Sequence, residues 1–262
     1  MDKTRLKAIV NNKIAEYNDE ELIQLFHQNT KQGANYVMDN MHMSREIMSN
    51  SEVNQKVLGK SKSYPFSHKV RLLERISDEF TSLLEKRHSQ VHKEIEHKIS
   101  IQEVSEVLWA GYGKTSRGRR TVGSGGALYP CELYPIILNS SDTPHGLYHY
   151  NPETCMIELL SDEDKIFNYR NYIMGLDNFN HISLIVLVTA SFGRMDFKYD
   201  ARSYRYILIE VGSIVQNMAL AATKYGLMSC QMGGTDDRLC EKLIGIDGVS
   251  ESIVKGMVFT RG

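Results

Sequence analysis

The sequence predicts an α+β domain preceded by a helical N-terminal extension, and three observations carry that prediction. Long helical patterns are interspersed with few strands instead of alternating with them, unlike a regular βαβ array. The strongest apolar run, Ile182 to Ala190, is nine residues long. That is the length of a buried strand, far short of the roughly 20 residues that cross a bilayer. The first 65 or so residues are polar, rich in Asn, Lys and Met, with one helical stretch from Glu20 to His27 and no strong strand.

Each element follows from local chemistry. Tyr64-Pro65 marks the expected boundary, because proline pushes the residue before it out of helical geometry. Residues 1–65 are then the extension and 66–262 the main domain. Leu73, Ile76, Phe80, Leu83 and Leu84 recur at helical spacing, predicting a helix from Val70 to Lys86. Ser100-Ile101-Gln102-Glu103 is a capping box, and the helix it opens should run to Ala110, where Gly111 and Gly113 stop it. Lys114 to Arg120 is a basic loop. Glu132 to Leu138 and Gly146 to Tyr150 read as strands, the second joined by the turn Asn151-Pro152-Glu153-Thr154 into a hairpin with Cys155 to Leu160. After the strand at Ile182 to Ala190 comes a helix from Tyr204 to Lys224, whose Gly212, Ala219, Ala221 and Ala222 permit close packing of another helix. Gly226 ends it, Thr235 caps a last helix to Ile244, and Gly256 to Thr260 forms the final strand.

Composition narrows the function. With 262 residues and 42% hydrophobic content the chain can bury an ordinary globular core. A net charge of -1 offers no global field for nucleic acid or an anionic membrane, so any anion site must be local. Met1 to Asn12 turns polar before it builds the apolar core of a secretory signal, so a cytoplasmic protein is expected. Cys131, Cys155, Cys230 and Cys240 form no CxxC pair and read as reduced thiols. His88 and His92 share i, i+4 spacing, but no glutamate sits beside His88 as a zincin would need, and no metal site is expected.

Four stretches carry candidate chemistry. Phe197-Lys198-Tyr199-Asp200-Ala201-Arg202-Ser203-Tyr204-Arg205 concentrates ionisable side chains between an apolar run and a long helix; it is either a site or a solvated helix cap. Gly123-Ser124-Gly125-Gly126-Ala127-Leu128-Tyr129-Pro130 lets backbone amides approach a flat ligand. It is not the dinucleotide fingerprint, because Leu128 replaces the third glycine, and it is not a phosphate loop, because no Gly-Lys-Ser/Thr follows. Lys86-Arg87-His88-Ser89 either complements a helix dipole or binds an anion through Arg87 and Ser89. Gln231-Met232-Gly233-Gly234-Thr235-Asp236 is a loop before a helix or a close backbone approach to a ligand.

Taken in order, GSGGALYPCELYP, GLYHYNP, FKYDARSYRYILIEVGSIVQNMALAATKYGL and MGGTDD resemble the SagB-type azoline oxidases of the flavin-dependent nitroreductase family. KRHS matches the family's first flavin motif, and LFHQNTK, Leu25 to Lys31, is similar to a segment common in this branch. The resemblance covers about Val70 to Gly262. It implies a nitroreductase-like fold, a central mixed β-sheet surrounded by helices, dimerising around two FMN molecules. By the same resemblance Arg87, His88 and Ser89 hold the FMN phosphate and ribityl chain, Ser124, Gly125 and Gly126 line the ring from the partner subunit, Leu128 is a further cofactor-binding residue, and Gly233 and Gly234 bring amides near the reacting nitrogen. Lys198 and Tyr199 match the pair assigned to catalysis. Two positions depart from the general pattern: Val91 stands where a second basic residue is usual, with His92 and Lys93 nearby, and Gly123 replaces a proline. Arg261 is the candidate for a phosphate contact at the C-terminal end.

The implied reaction oxidises thiazoline or oxazoline rings to azoles in a ribosomally made precursor peptide, in a complex with a cyclodehydratase. As a base, Lys198 would need its pKa lowered by desolvation or by a cation such as Arg202. A general NAD(P)H-dependent nitroreductase or quinone reductase, or a non-catalytic scaffold subunit, are the alternatives.

Overall fold

A computed structural model describes residues 19–33, 61–90, 98–162, 166 and 182–261. Among the described residues six strands form one sheet in the order β3-β2-β1-β4-β6-β5. They are β1 (Cys131–Ile137), β2 (Gly146–Asn151), β3 (Met156–Asp162), β4 (Leu184–Ser191), β5 (Leu227–Met232) and β6 (Glu251–Arg261). Where the sequence leads one to expect a mixed sheet, every strand pair is antiparallel. Parallel pairing among the described residues is confined to the single-residue bridges Ser89 to Ser229 and Ile99 to Ser140.

The central strands are covered on both faces, which is why they read as continuous apolar runs. Leu184, Val186, Val188 and Ala190 of β4 point into one core, and Ile185 and Leu187 point into the other. The first core is closed by α3 (Ile101–Tyr112) and α5 (Arg202–Lys224), the second by Cys240 and Leu243 of α6 (Asp237–Ile244). By length and composition α5 alone among the described helices could cross a membrane, but its apolar face is the packing surface for α3 and the sheet. β3 is a largely exposed edge.

The Ser100 and Glu103 capping box forms as expected, Ser100 N–H donating to Glu103 Oε2 at 2.8 Å. The helix it opens runs past Gly111, however, and Gly113 is the cap. A Cβ on Gly111 would stand 2.7 Å from Met218 Cγ, so this glycine lets α3 and α5 cross closely. The helix expected from Val70 starts only at α2 (Glu79–Lys86), because Asp78 supplies a capping box with Thr81. Leu73 and Ile76 lie upstream in irregular chain, both more than four-fifths exposed. Asp236, not Thr235, caps α6, accepting from Leu239 N–H at 3.1 Å.

The N-terminal segment is tied to the domain. In α1 (Asp19–Thr30) and the residue after it, His27 and Lys31 turn inward. Ser252 donates its hydroxyl to Glu241, so His27 Nε2–H donates to Ser252 Oγ at 2.8 Å and Nδ1 accepts from the Tyr204 hydroxyl at 3.2 Å. Lys31 Nζ pairs with Glu241 at 2.7 Å, their side chains 4% and 7% exposed, and donates to Gly248 O.

Candidate active site

The lysine and tyrosine read from sequence as part of a loop occupy the last turn of a short helix, α4 (Gly193–Tyr199). Asp200 then reverses the chain at φ 47°, ψ -143°, a conformation that costs about 1–3 kcal/mol in a non-glycine residue and persists only when its surroundings hold it. Asp196 holds it here: its carbonyl accepts from Asp200 N–H at 2.9 Å and its carboxylate accepts the Ser203 hydroxyl at 2.5 Å. This corner starts α5 at Arg202. Lys198 is exposed and Tyr199 half-buried, with Nζ 5.2 Å from the tyrosine ring centroid. The Tyr199 ring meets that of Tyr206 edge to face at 5.0 Å. Arg202 leans over Tyr206 at 6.0 Å.

The glycine-rich loop comes to this pair. Gly126 has φ 63°, and a Cβ on it would lie 2.6 Å from Lys198 Nζ and 2.7 Å from Tyr199 Oη. Both polar atoms therefore face one point above bare backbone. Gly125 is equally constrained, since a Cβ there would meet Met195 Cε at 2.7 Å. Ala127 and Tyr129 also take positive φ, 56° and 48°. Ser124 Oγ accepts from Tyr129 N–H at 2.9 Å and closes the loop on itself. Leu128 packs against the core.

The remaining predicted residues line up along β5. Arg87 caps α2, and its Nη1 lies 3.5 Å from Ser89 Oγ. Ser89 bridges to Ser229, and Gln90 N–H donates to Ser229 O at 3.2 Å. The His88 ring nitrogens lie 2.8 and 2.6 Å from Lys86 O and Gln90 Oε1. At the far end of β5, Gly233 is exposed, and a Cβ on it would meet no atom within 4 Å; it borders a cavity of about 240 Å³ with His27, Lys31, Tyr204 and Lys255. Gly234 follows, half-buried. The Arg261 backbone ends β6 opposite Leu227; its side chain, like Val91, His92 and Lys93, lies outside the described residues.

One buried acidic residue has no role among the candidate site residues. Glu210 sits on the buried stripe of α5 with Ile207, Val211 and Ile214, only 1% exposed, and accepts from the Tyr112 hydroxyl at 2.7 Å. Burial pushes its carboxyl above the ordinary range, while Ser124, Tyr112 and Arg120 draw it back. The signal was present in the sequence: an acidic residue at a core position of an apolar helix must have partners.

The sequence profile of the Nitroreductase family matches residues 85–262. The chain belongs to the Nitroreductase family. Within it, a protein of Methanocaldococcus jannaschii named as a nitroreductase is 34% identical over 151 residues, 56% of this chain and 75% of that one. The microcin B17-processing protein McbC of Escherichia coli is 31% identical over 161 residues, 58% of each chain. The trifolitoxin-processing protein TfxB of Rhizobium leguminosarum bv. trifolii is 28% identical over 148 residues, 55% of this chain and 40% of its own. The match thus spans less than two thirds of either processing protein. Among solved structures, the E. coli microcin synthetase McbBCD complex with truncated pro-MccB17 has a chain with TM-score 0.66 at 22% identity, covering 81% of both, a likeness of fold.

Proposed function

We propose that this nitroreductase-family protein is an FMN-dependent dehydrogenase that oxidises thiazoline or oxazoline rings to azoles in a ribosomally made peptide. In this reading it works in the cytoplasm as a homodimer, together with a cyclodehydratase. The observation that carries the reading is the convergence of Lys198 Nζ and Tyr199 Oη on Gly126. Similarity to two peptide-processing relatives supports the substrate class.

The residues present suit the cofactor. Arg87 and Ser89, held on the edge strand β5, offer a guanidinium and a hydroxyl to a phosphate. Gly233 offers backbone with no side chain in the way, which a flat ring needs. Ring oxidation removes one hydride and one carbon-bound proton, and FMN, when bound, is the hydride acceptor that no side chain can provide. The chain's own task is the proton. Lys198 and Tyr199 are held at one point by α4, Tyr206 and the glycine-rich loop, so a ring carbon placed there meets both a base and a hydroxyl.

An absorbance spectrum of the purified protein, followed by mass spectrometry of an azoline peptide incubated with it, tests this reading. A yellow protein that removes two hydrogen atoms per ring is expected. Rapid bleaching by NAD(P)H with the peptide untouched would make it a general reductase instead, and a colourless protein would make it a scaffold. Sedimentation velocity at micromolar concentration should show a dimer.

A further inference from the structure

The glycine-rich loop is strained, and its support includes a residue outside the candidate site set. Three of its residues, Gly126, Ala127 and Tyr129, have positive φ. Alanine and tyrosine at such angles each cost about 1–3 kcal/mol, so the loop keeps this shape only if its two ends are pinned. Both ends lead to Glu210.

At the exit, the Tyr112 hydroxyl donates to Glu210 Oε1 at 2.7 Å and accepts the Cys131 N–H at 3.2 Å, where the loop enters β1. Within the loop, Ser124 stands near enough to the same carboxyl to oppose the effect of burial on it, and its Oγ accepts from Tyr129 N–H at 2.9 Å. At the entrance, the Arg120 guanidinium lies over the Tyr112 and Tyr129 rings at 5.2 and 5.6 Å, close enough to Glu210 to oppose the effect of burial on it. One carboxyl on the long helix thus touches or attracts the loop before, within and after its strained part.

The network is not saturated. Among the described residues, Arg120 Nη1, Thr121 Oγ1, Tyr150 Oη and Glu210 Oε2 are buried without a hydrogen-bond partner. A buried carboxyl with one oxygen unpartnered is weak evidence for a role in stability alone.

We propose that Glu210 is a positioning residue: it fixes the shape of loop 123–130 and so sets Gly126 against Lys198 and Tyr199. The inference rests on the reading of that loop as part of the flavin site. Glu210 touches neither substrate nor cofactor in this account and acts through Ser124 and Tyr112.

Three proteins test it: wild type, Glu210→Ala and Glu210→Gln, with glutamine keeping an acceptor for the Tyr112 hydroxyl. Hydrogen exchange of the peptide spanning 123–131, measured without added flavin, is the first readout, and FMN affinity by fluorescence quenching is the second. Glu210→Ala should speed exchange in that peptide at least about tenfold and weaken FMN binding about tenfold, the scale of losing a buried hydrogen bond to a charged group. Exchange elsewhere in α5 should hardly change. Glu210→Gln should restore most of both losses. Wild-type loop exchange in the alanine variant would overturn the proposal, as would equal damage in both variants with a parallel fall in melting temperature, which would mean packing alone. Should Glu210→Ala fail to fold, Tyr112→Phe removes the link to Cys131 N–H, and an unchanged loop in that variant would overturn the proposal too. If the wild type takes up no FMN, the functional reading falls while the exchange result still decides the loop's support.

Discussion

Gly126 and Lys198 approach so closely that a Cβ on residue 126 would stand 2.6 Å from the lysine Nζ. The obstructing atoms, Lys198 Nζ and Tyr199 Oη, are the ends of side chains, so a substitution there displaces the pair and not the backbone. Gly126→Ala should therefore remain folded, losing about 1–2 kcal/mol for an alanine held at φ 63°. Ring oxidation should fall by at least about tenfold, the scale of one misplaced catalytic group. Thermal melts beside turnover on an azoline peptide check both halves, and wild-type turnover would count against a shared site.

The buried pair Lys31–Glu241 should anchor the N-terminal helix to the domain. Among the described residues, Lys31→Met leaves the Glu241 carboxylate in the interior with Ser252 Oγ and the distant Ile253 N–H as hydrogen-bond partners. Breaking a buried pair on one side costs about 3–5 kcal/mol, whereas replacing both partners with apolar residues costs far less. Urea titration should thus find Lys31→Met much less stable than Lys31→Met/Glu241→Leu. Equal midpoints for the wild type and the single variant would remove the anchor.

Two histidines should move stability with pH in opposite directions. Burial, then Lys31, holds His27 below its ordinary 6.5, partly offset by Glu241. Its unfolded form binds the proton more readily, so its contribution is complete above 6.5 and lost as pH falls through the folded value. His149 is the reverse. Hydrogen bonds that its ring donates to Glu132 and then to Glu158, at 3.1 Å each, raise it against the opposing effect of burial. Its contribution is complete below 6.5 and lost as pH rises through the folded value. Denaturant midpoints from about pH 5 to about pH 9 should show His149→Ala costing most at the acidic end and His27→Ala costing most at the alkaline end. A pH-independent cost for both would contradict the assignment.

Elements with their own local chemistry were legible from sequence. Asn151 to Thr154 forms the turn that pairs β2 with β3, and Ser100 with Glu103 opens α3, because turn and cap residues act within a few positions. The apolar stripe from Leu73 misleads, since its residues face solvent and the Asp78 cap decides where α2 begins. β5 escapes notice because Ser229, Cys230 and Gln231 lack strand character and are held by pairing with β6, a non-local effect. Of the site, Lys198, Tyr199 and the glycines stand out as motifs. Their convergence on one point follows the Asp200 reversal, a backbone conformation that residue types alone do not mark.

In the proposed reaction Lys198 and Tyr199 carry the proton chemistry of ring oxidation. Mass spectrometry of an azoline peptide treated with FMN-loaded Lys198→Ala and Tyr199→Phe proteins decides whether they do. Both variants should stay yellow and folded while the peptide keeps its two hydrogen atoms per ring; full conversion by both would remove the pair from the chemistry.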